Sequence, residues 1–391
     1  MSLDDLLDIL NHKFSSSAGI DVTDENAMKF STFYSCVKLI SESISQLPLV
    51  LYERSSEGRQ RASGFDLYDI LKTRPNEWMT GSGYLQWVAA SLLTRGIAYS
   101  LKIRRGNTVI ALHPLPFKSV QEVWTGNTPT YHVYIDGEEY VSLSADDLFI
   151  VRGLTSDGKT PISPIGQMRE ALGLGIAAEK FGAKFFGNNA RPAGILESDG
   201  SLTPETIKNL KEQWQQSHGG DNMHKLAILT AGLKWKQITM SAEDSQFLET
   251  RKFQRSEICG MFLVPPHMIG DTEKSSSWGT GIEQLTIGFI KFTLGPWLMR
   301  IEQSVSRDLL TKQQRKRFYP EFLTENLLRG DMKSRNESYK IALGGNQMPG
   351  YMSVNEVRQK ENLPPMKGDQ YESVYMPPTD SNQEVSNNEQ V

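Results

Sequence analysis

The sequence predicts an α+β fold. Apolar residues recur at helical spacing in Ala27–Gln46 and again between Ser241 and Leu310. From Ala98 to Arg152 the period drops to two, and glycine-bearing turns divide the run. A smaller strand–helix–strand pattern, Ile195–Met240, is inserted between two long helical segments and is expected to project as a separate module.

Residues 1–26 are polar with an SSSAG run, and are expected to be a flexible N-terminus. Ala27–Gln46 places Phe30, Phe33, Val37, Ile40 and Ile44 on one helical stripe. LPLVLYER reads as a strand and SSEGRQR as its turn. Phe65–Thr73 and Ser82–Arg95 are amphipathic helices separated by the turn-rich RPNEWMTGSG. In the period-two region, turns are expected at Arg105-Gly106-Asn107, Gly126-Asn127 and Asp136-Gly137. His113 and His132 stand singly in these strands, without a partner by spacing, which favours a structural role.

Pro164–Asn188 is a helix capped by Ser163 with Pro164 as its first residue. It carries Ala171, Ala177, Ala178 and Ala183, and five glycines at 166, 173, 175, 182 and 187. Each helical glycine costs roughly 1 kcal/mol relative to alanine, so close approach of a neighbour is expected. That neighbour is either the core of the same chain or a helix of another subunit. GNNARPAG ends the helix, and the insert then reads as strand GILES, helix Pro204–Ser217 and strands HKLAILTAG and LKWKQITM.

Ser241 with Asp244 three residues on resembles a capping box opening a helix that Pro265-Pro266 must stop. The polar HMIGDTEKSSSWGTG loop has little apolar surface to bury and is expected to be mobile. A second helical run extends to Leu310, with Gly295-Pro296 placed to kink it. Thr311–Arg317 (TKQQRKR) is the strongest basic run and reads as a solvated helix end. Two short helices, Met332–Leu343 and Val354–Glu361, precede a tail, 379–391, of disordered composition.

Cys36 and Cys259 form no CxxC or metal-ligand spacing, so neither a disulfide framework nor a metal site is indicated, and no cofactor is expected. Residues Met1–Lys13 lack the pattern of a secretory leader, and no stretch is long and apolar enough to span a bilayer; no membrane partner and a reducing setting are therefore expected. A formal net charge of −4 argues against tight nucleic-acid grip, which rests on Lys and Arg displacing counterions. It remains compatible with a protein past which DNA must slide. Lys208, Lys211, Trp214, His218 and His224 are interspersed with glutamates and read as a solvated face rather than a nucleic-acid patch.

Gly153–Thr160 (GLTSDGKT) satisfies the GxxxxGK[ST] pattern of a phosphate-cradling loop, which makes a nucleotide-binding enzyme the alternative reading. Such a loop needs a helix to start at the Lys-Thr pair. Here Pro161 follows Thr160 and pushes it toward extended geometry, which disfavours that reading. His267, Asp271 and Glu273 cluster in sequence, but in a Ser-rich loop they read as solvated polar residues rather than a catalytic set, and no enzyme is expected.

FLVPPHMIGDTEKSS followed by GIEQ and TLGPWLMRIEQ resembles the portal protein family of tailed bacteriophages. FYSCVKLISESISQLPLVLY, LYDILKTRPNEWMTGSGYLQ, LLTRGIAYS, GKTPISPIGQMREALGLGIAAEKFGAKFFGNNARPAGIL and NEVRQKENLPP resemble portal segments in portal order, over roughly Ala27–Pro378. The resemblance implies a portal fold: an α/β wing (27–162 and 263–330), stem helices (163–190 and 244–262), a small α/β clip (191–243) and a helical crown (331–378). It favours a ring of subunit helices as the reason for the small residues of the first stem helix. It further implies a dodecameric ring at one capsid vertex of the virion, assembled in the host cytoplasm. Its channel would pass double-stranded DNA without reading sequence. Expected partners are the terminase large subunit, the major capsid and scaffold proteins, and a head-tail adaptor. The tunnel loop falls at 271–281, where Thr272, Glu273, Lys274, Ser275, Ser276, Ser277 and Trp278 are the expected DNA-facing residues.

Overall fold

The chain opens on a small hairpin, β1 (Phe14–Ser15) and β2 (Asp21–Val22), followed by α1 (Asp24–Lys29) and α2 (Ser31–Ser45). The computed structural model describes residues 14–56, 58–135, 138–187, 194–198, 203–210, 233–237, 242–271, 280–324, 332–345, 348–361 and 363–377. Contacts divide the chain into two compact units, Met1–Glu321 and Phe322–Val391.

Helix Ala27–Gln46 is divided at Phe30, whose extended backbone ends α1 and starts α2. The stripe Phe33, Val37, Ile40 and Ile44 is buried as its spacing requires. Strands β3 (Leu49–Ser55) and β4 (Gly58–Arg61) follow, then α3 (Asp66–Lys72) and α4 (Gly81–Arg95). Thr80 caps α4 by accepting from the Gly83 N–H, and left-handed Gly96 ends it. Helices α2 and α4 pack together, and Phe33, Val37, Leu85 and Leu92 on them are all buried.

The period-two region forms two antiparallel sheets. One has the order β10 (Leu148–Arg152), β5 (Ile97–Arg105), β6 (Thr108–Leu115); the other is the meander β7 (Val120–Thr125), β8 (Thr128–Ile135), β9 (Glu138–Ser144). Gly106 and Gly126 take the positive φ that tight two-residue turns demand. Ile97, Tyr99, Tyr131, Leu148 and Ile150 form one buried cluster between the sheets. The His113 ring packs against Trp78, centroids 4.7 Å apart and tilted by 54°, in keeping with a structural role.

A short α5 (Pro164–Gln167) leads into α6 (Arg169–Gly187). The expected 1–26 flexible segment is corrected for its second half, because 14–22 docks on α6. The Ser17 N–H donates to Glu170 Oε2 at 2.9 Å, and Val22 is fully buried. This docking accounts for two of the helix glycines, and Phe30 between α1 and α2 for a third. A Cβ on Gly173 would lie 2.1 Å from Ser16 Oγ, one on Gly175 2.7 Å from the Phe30 ring, and one on Gly166 2.8 Å from the Phe14 ring. At these positions the close neighbour is the same chain, not a helix of another subunit.

Of the insert, β11 (Gly194–Ser198), a helix α7 (204–210) and β12 (Leu233–Gln237) are described; β11 pairs antiparallel with β12, setting Leu196 opposite Trp235. Lys208 is exposed on α7; Lys211, Trp214, His218 and His224 lie outside the described residues. Helix α8 (Ala242–Met261) packs on α2 and α6. Cys36 of α2 and Cys259 of α8 are both buried, and the Cys36 thiol is pushed up by its hydrogen bond to Cys259 and by burial.

Helix α9 (Thr280–Gly288), a π-helix (Phe289–Leu294) and α10 (Gly295–Leu309) form the second helical run. At Gly295-Pro296 the chain widens by a π turn, in which the Gly295 N–H reaches the Ile290 carbonyl. Pro296 has no N–H for the Phe292 carbonyl and its ring crowds that oxygen, and the wide turn relieves the clash. A short α11 (Gln314–Arg317) carries the basic run, with Arg317 paired to Glu53. Then β13 (Phe318–Phe322) joins β3 in the order β13-β3-β4.

The second unit runs from Phe322. Its helices are α12 (Met332–Leu343) and α13 (Val354–Lys360), bridged by Tyr339 Oη donating to Glu361 at 2.7 Å. Ser353 and Glu356 form a reciprocal capping box on α13.

Candidate functional site

The described residues that flank 272–279 are fastened to the rest of the chain on each side. On the first side α8 ends in two crossed hydrogen bonds: the Val264 N–H to Cys259 O at 2.9 Å and the Leu263 N–H to Gly260 O at 3.1 Å. This is the Schellman pattern, with Leu263 at the left-handed position, φ 54°. Pro265 and Pro266 then forbid further helix, and a 3₁₀ turn, Pro266–Ile269, closes on left-handed Gly270. Arg255 fixes the turn by donating to Ile269 O at 2.9 Å and by pairing with Asp271 at 3.6 Å.

On the other side, α10 is fastened to the edge strand β10. Arg300 donates to Gly153 O at 2.5 Å and Arg307 to Ile150 O at 2.6 Å, while the Ile150 N–H donates to Asp308 Oδ2 at 3.0 Å. Lys102 Nζ adds a 3.0 Å bond to Asp308 O, and burial lowers its pKa. An edge strand that would otherwise present bare carbonyls is thus covered by one helix. The two sides meet where Thr293 Oγ1 donates to Leu263 O at 2.6 Å.

Thr272, Glu273, Lys274, Ser275, Ser276, Ser277 and Trp278 lie outside the described residues, between these two supports. His267 and Asp271 line a cavity of about 460 Å³ together with Cys259, Leu263, Pro266 and Leu285. The carboxylate of Asp271 is taken up by Arg255 rather than directed at His267. Among the described residues no cluster of His, Cys, Asp and Glu could hold a metal ion, and no helix is long and apolar enough to cross a membrane.

The model of the phage portal protein family matches residues 31–362. The chain belongs to that family. It is 33% identical over 376 residues to the portal protein of Enterobacteria phage HK97, covering 94% of this chain and 88% of the relative. It is also 33% identical over 362 residues to a probable portal protein of Streptomyces phage phiC31, covering 90% and 78%. Solved structures share the fold. The neck of an empty gene transfer agent particle, computed with C6 symmetry, superposes with a TM-score of 0.67 at 22% identity, covering 87% of this chain and 93% of that one. The neck of the native particle, computed with C12 symmetry, gives 0.62 at 22% identity with the same coverage. An HK97-family phage portal protein from Corynebacterium diphtheriae gives 0.52 at 16% identity, covering 79% and 97%.

In this portal chain the GxxxxGKT segment has no phosphate cradle. Asp157 accepts from the backbone N–H groups of Lys159 (2.8 Å) and Thr160 (2.7 Å) and from the Thr160 hydroxyl (2.9 Å). These bonds hold its carboxyl down at about 2. The donors that would face a phosphate are therefore occupied by a carboxylate of the same turn. Lys159 Nζ sits 4.7 Å from the centre of the Trp124 ring and donates to Gly126 O and Asn127 Oδ1, each at 3.2 Å. The helix begins three residues on, where Ser163 Oγ accepts from the Gly166 N–H at 3.3 Å and Pro164 is the first residue. Nothing supports the nucleotide-binding alternative.

Two features of the portal chain had no sequence signal. Glu122, mostly buried, receives Arg152 at 2.9 Å, Tyr131 Oη at 3.1 Å and Tyr99 Oη at 3.3 Å, four residues brought together from four strands. Burial first, and then the Glu122 charge, pushes the Tyr131 hydroxyl up to about 12. The left-handed Leu263 is the other: Pro265 two residues on marks a helix end, but not its geometry.

Proposed function

We propose that this chain is a portal subunit that forms a closed ring at one capsid vertex of a virion, with a channel through which double-stranded DNA enters and leaves. The observation that carries the reading is that the described residues on the two flanks of 272–279 are fastened to the rest of the chain and to each other. One end is fixed by Arg255 and Gly270, the other by α10 on β10, and both are joined by the Thr293–Leu263 bond. The necks of the related particles, computed with C6 and C12 symmetry, support a cyclic assembly, and heterologous contacts that close on rotation generate one.

In this reading Thr272–Trp278 crowd the DNA backbone without reading bases, which agrees with a net charge of −4. The stem is 163–190 with 244–262, the clip 191–243 meets the terminase large subunit and later a head-tail adaptor, and the crown is 331–378. Capsid and scaffold proteins are met around the ring during assembly in the host cytoplasm. The chain itself is no enzyme, and DNA is driven by the separate terminase motor. The test is native mass spectrometry with negative-stain imaging of the purified chain. A ring with a central hole, of twelve copies, is expected without added nucleotide; a monomer or dimer that responds to nucleotide overturns the reading.

A further inference from the structure

Among the described residues Leu263 is the one non-glycine with positive φ, and its side chain is 62% exposed. Each property is unfavourable for leucine. The left-handed region crowds Cβ against the carbonyl oxygen, which is why glycine or asparagine fills this position at most helix ends. An isobutyl group exposed to this extent gains little from burial in its own chain. The strain is nevertheless enforced: the Schellman bonds to Gly260 and Cys259, the Thr293 bond to its carbonyl and Pro265 two residues on leave no other backbone path. Strained backbone persists where surrounding structure over-determines it, and such residues gather at functional positions. The surroundings are apolar too. Leu285 lines the same cavity, and Met261, two residues before, and Phe292, next to Thr293, are exposed.

We propose that Leu263 is an assembly knob: its side chain is presented by the strained turn to the apolar surface of the adjacent copy of this chain in the ring. The inference rests on the ring reading above. A second copy is the occupant because a closed ring gives every subunit a neighbour on each side, and the neck of the related native particle was computed with C12 symmetry. DNA is not the occupant the chemistry favours, since an aliphatic group offers a phosphate backbone neither charge nor hydrogen bond. Burial against a neighbour would supply what the isolated chain lacks at this position.

The test compares wild type with Leu263→Gly and Leu263→Met by thermal unfolding and by native mass spectrometry across a dilution series. Glycine removes both the strain and the knob, so the Leu263→Gly melting temperature is expected to equal or exceed that of wild-type monomer by about 1–3 °C. Its rings are expected to dissociate at roughly tenfold higher concentration or more, while Leu263→Met keeps them. Wild-type rings matched by Leu263→Gly rings at every dilution would overturn this inference and leave the ring reading intact. At a dilution where both proteins are monomeric, a Leu263→Gly melting temperature several degrees below that of wild type would overturn the strain argument. No ring from wild type at any concentration would overturn the ring reading itself, and the knob with it.

Discussion

The Thr293 hydroxyl donates a 2.6 Å hydrogen bond to the carbonyl of Leu263, joining the π turn after the 272–279 segment to the strained helix end before it. Thr293 is buried, so Thr293→Val keeps the shape and leaves that carbonyl without its donor. The expected cost is about 1–2 kcal/mol. Hydrogen exchange should accelerate at Leu263 and Val264, whose N–H groups close the helix end, before it changes in the sheets. Unchanged exchange there would show that the two supports are independent.

Glu122 and Arg152 join two separate sheets above the Tyr99–Tyr131 core, with side-chain exposures of 10% and 16%. Truncating one partner of a buried pair strands the other's charge. Arg152→Ala is expected to cost about 3 kcal/mol in denaturant unfolding of the whole chain. The double variant with Glu122→Leu should recover part of that loss, because no charge is then left behind.

Gly173 and Gly260 are both helical and should respond in opposite directions. A Cβ at 173 meets the Ser16 side chain at 2.1–2.4 Å, whereas one at 260 meets nothing within 4 Å. Gly173→Ala is expected to destabilise by about 1–3 kcal/mol, as the hairpin at 14–22 is forced off α6. Gly260→Ala is expected to stabilise by roughly 0.5–1 kcal/mol. Calorimetric melting temperatures of the two variants separate these outcomes.

The Asp157 turn carries a pH signature. Its carboxyl is lowered from 3.8 to about 2 by the Lys159 and Thr160 N–H groups and the Thr160 hydroxyl. A depressed folded-state value means the turn is stabilised above about pH 4, and that contribution is lost as pH falls through about 2. A carboxyl-detected NMR titration should place the Asp157 midpoint near 2. Calorimetry with magnesium–ATP at neutral pH is expected to give no saturable heat for wild type or for Lys159→Ala. A saturable heat abolished by that substitution would restore a phosphate site.

Local signals made much of the chain legible before its structure. The stripe Phe33–Ile44 and the glycine turns at 106 and 126 needed only side-chain periodicity and φ preferences. Ser163-Pro164 marked the start of α5, and Pro161 spoke against a phosphate loop. Family membership rested on ordered segments along the whole chain, which the match over 31–362 bears out. The partner of each small residue was not legible. A glycine stripe says that something approaches, and only the folded chain shows that Ser16, Phe30 and Phe14 are what approach. The Glu122–Arg152–Tyr131–Tyr99 cluster likewise draws on β5, β7, β8 and β10, whose separations carry no fixed spacing. The elements and their order were legible because periodicity, caps and turns act within a few residues, and the family because its segments recur in order. Only the folded chain shows which distant groups touch and that Leu263 is held in its strained, exposed position, because long-range packing overrides the preference of a single residue.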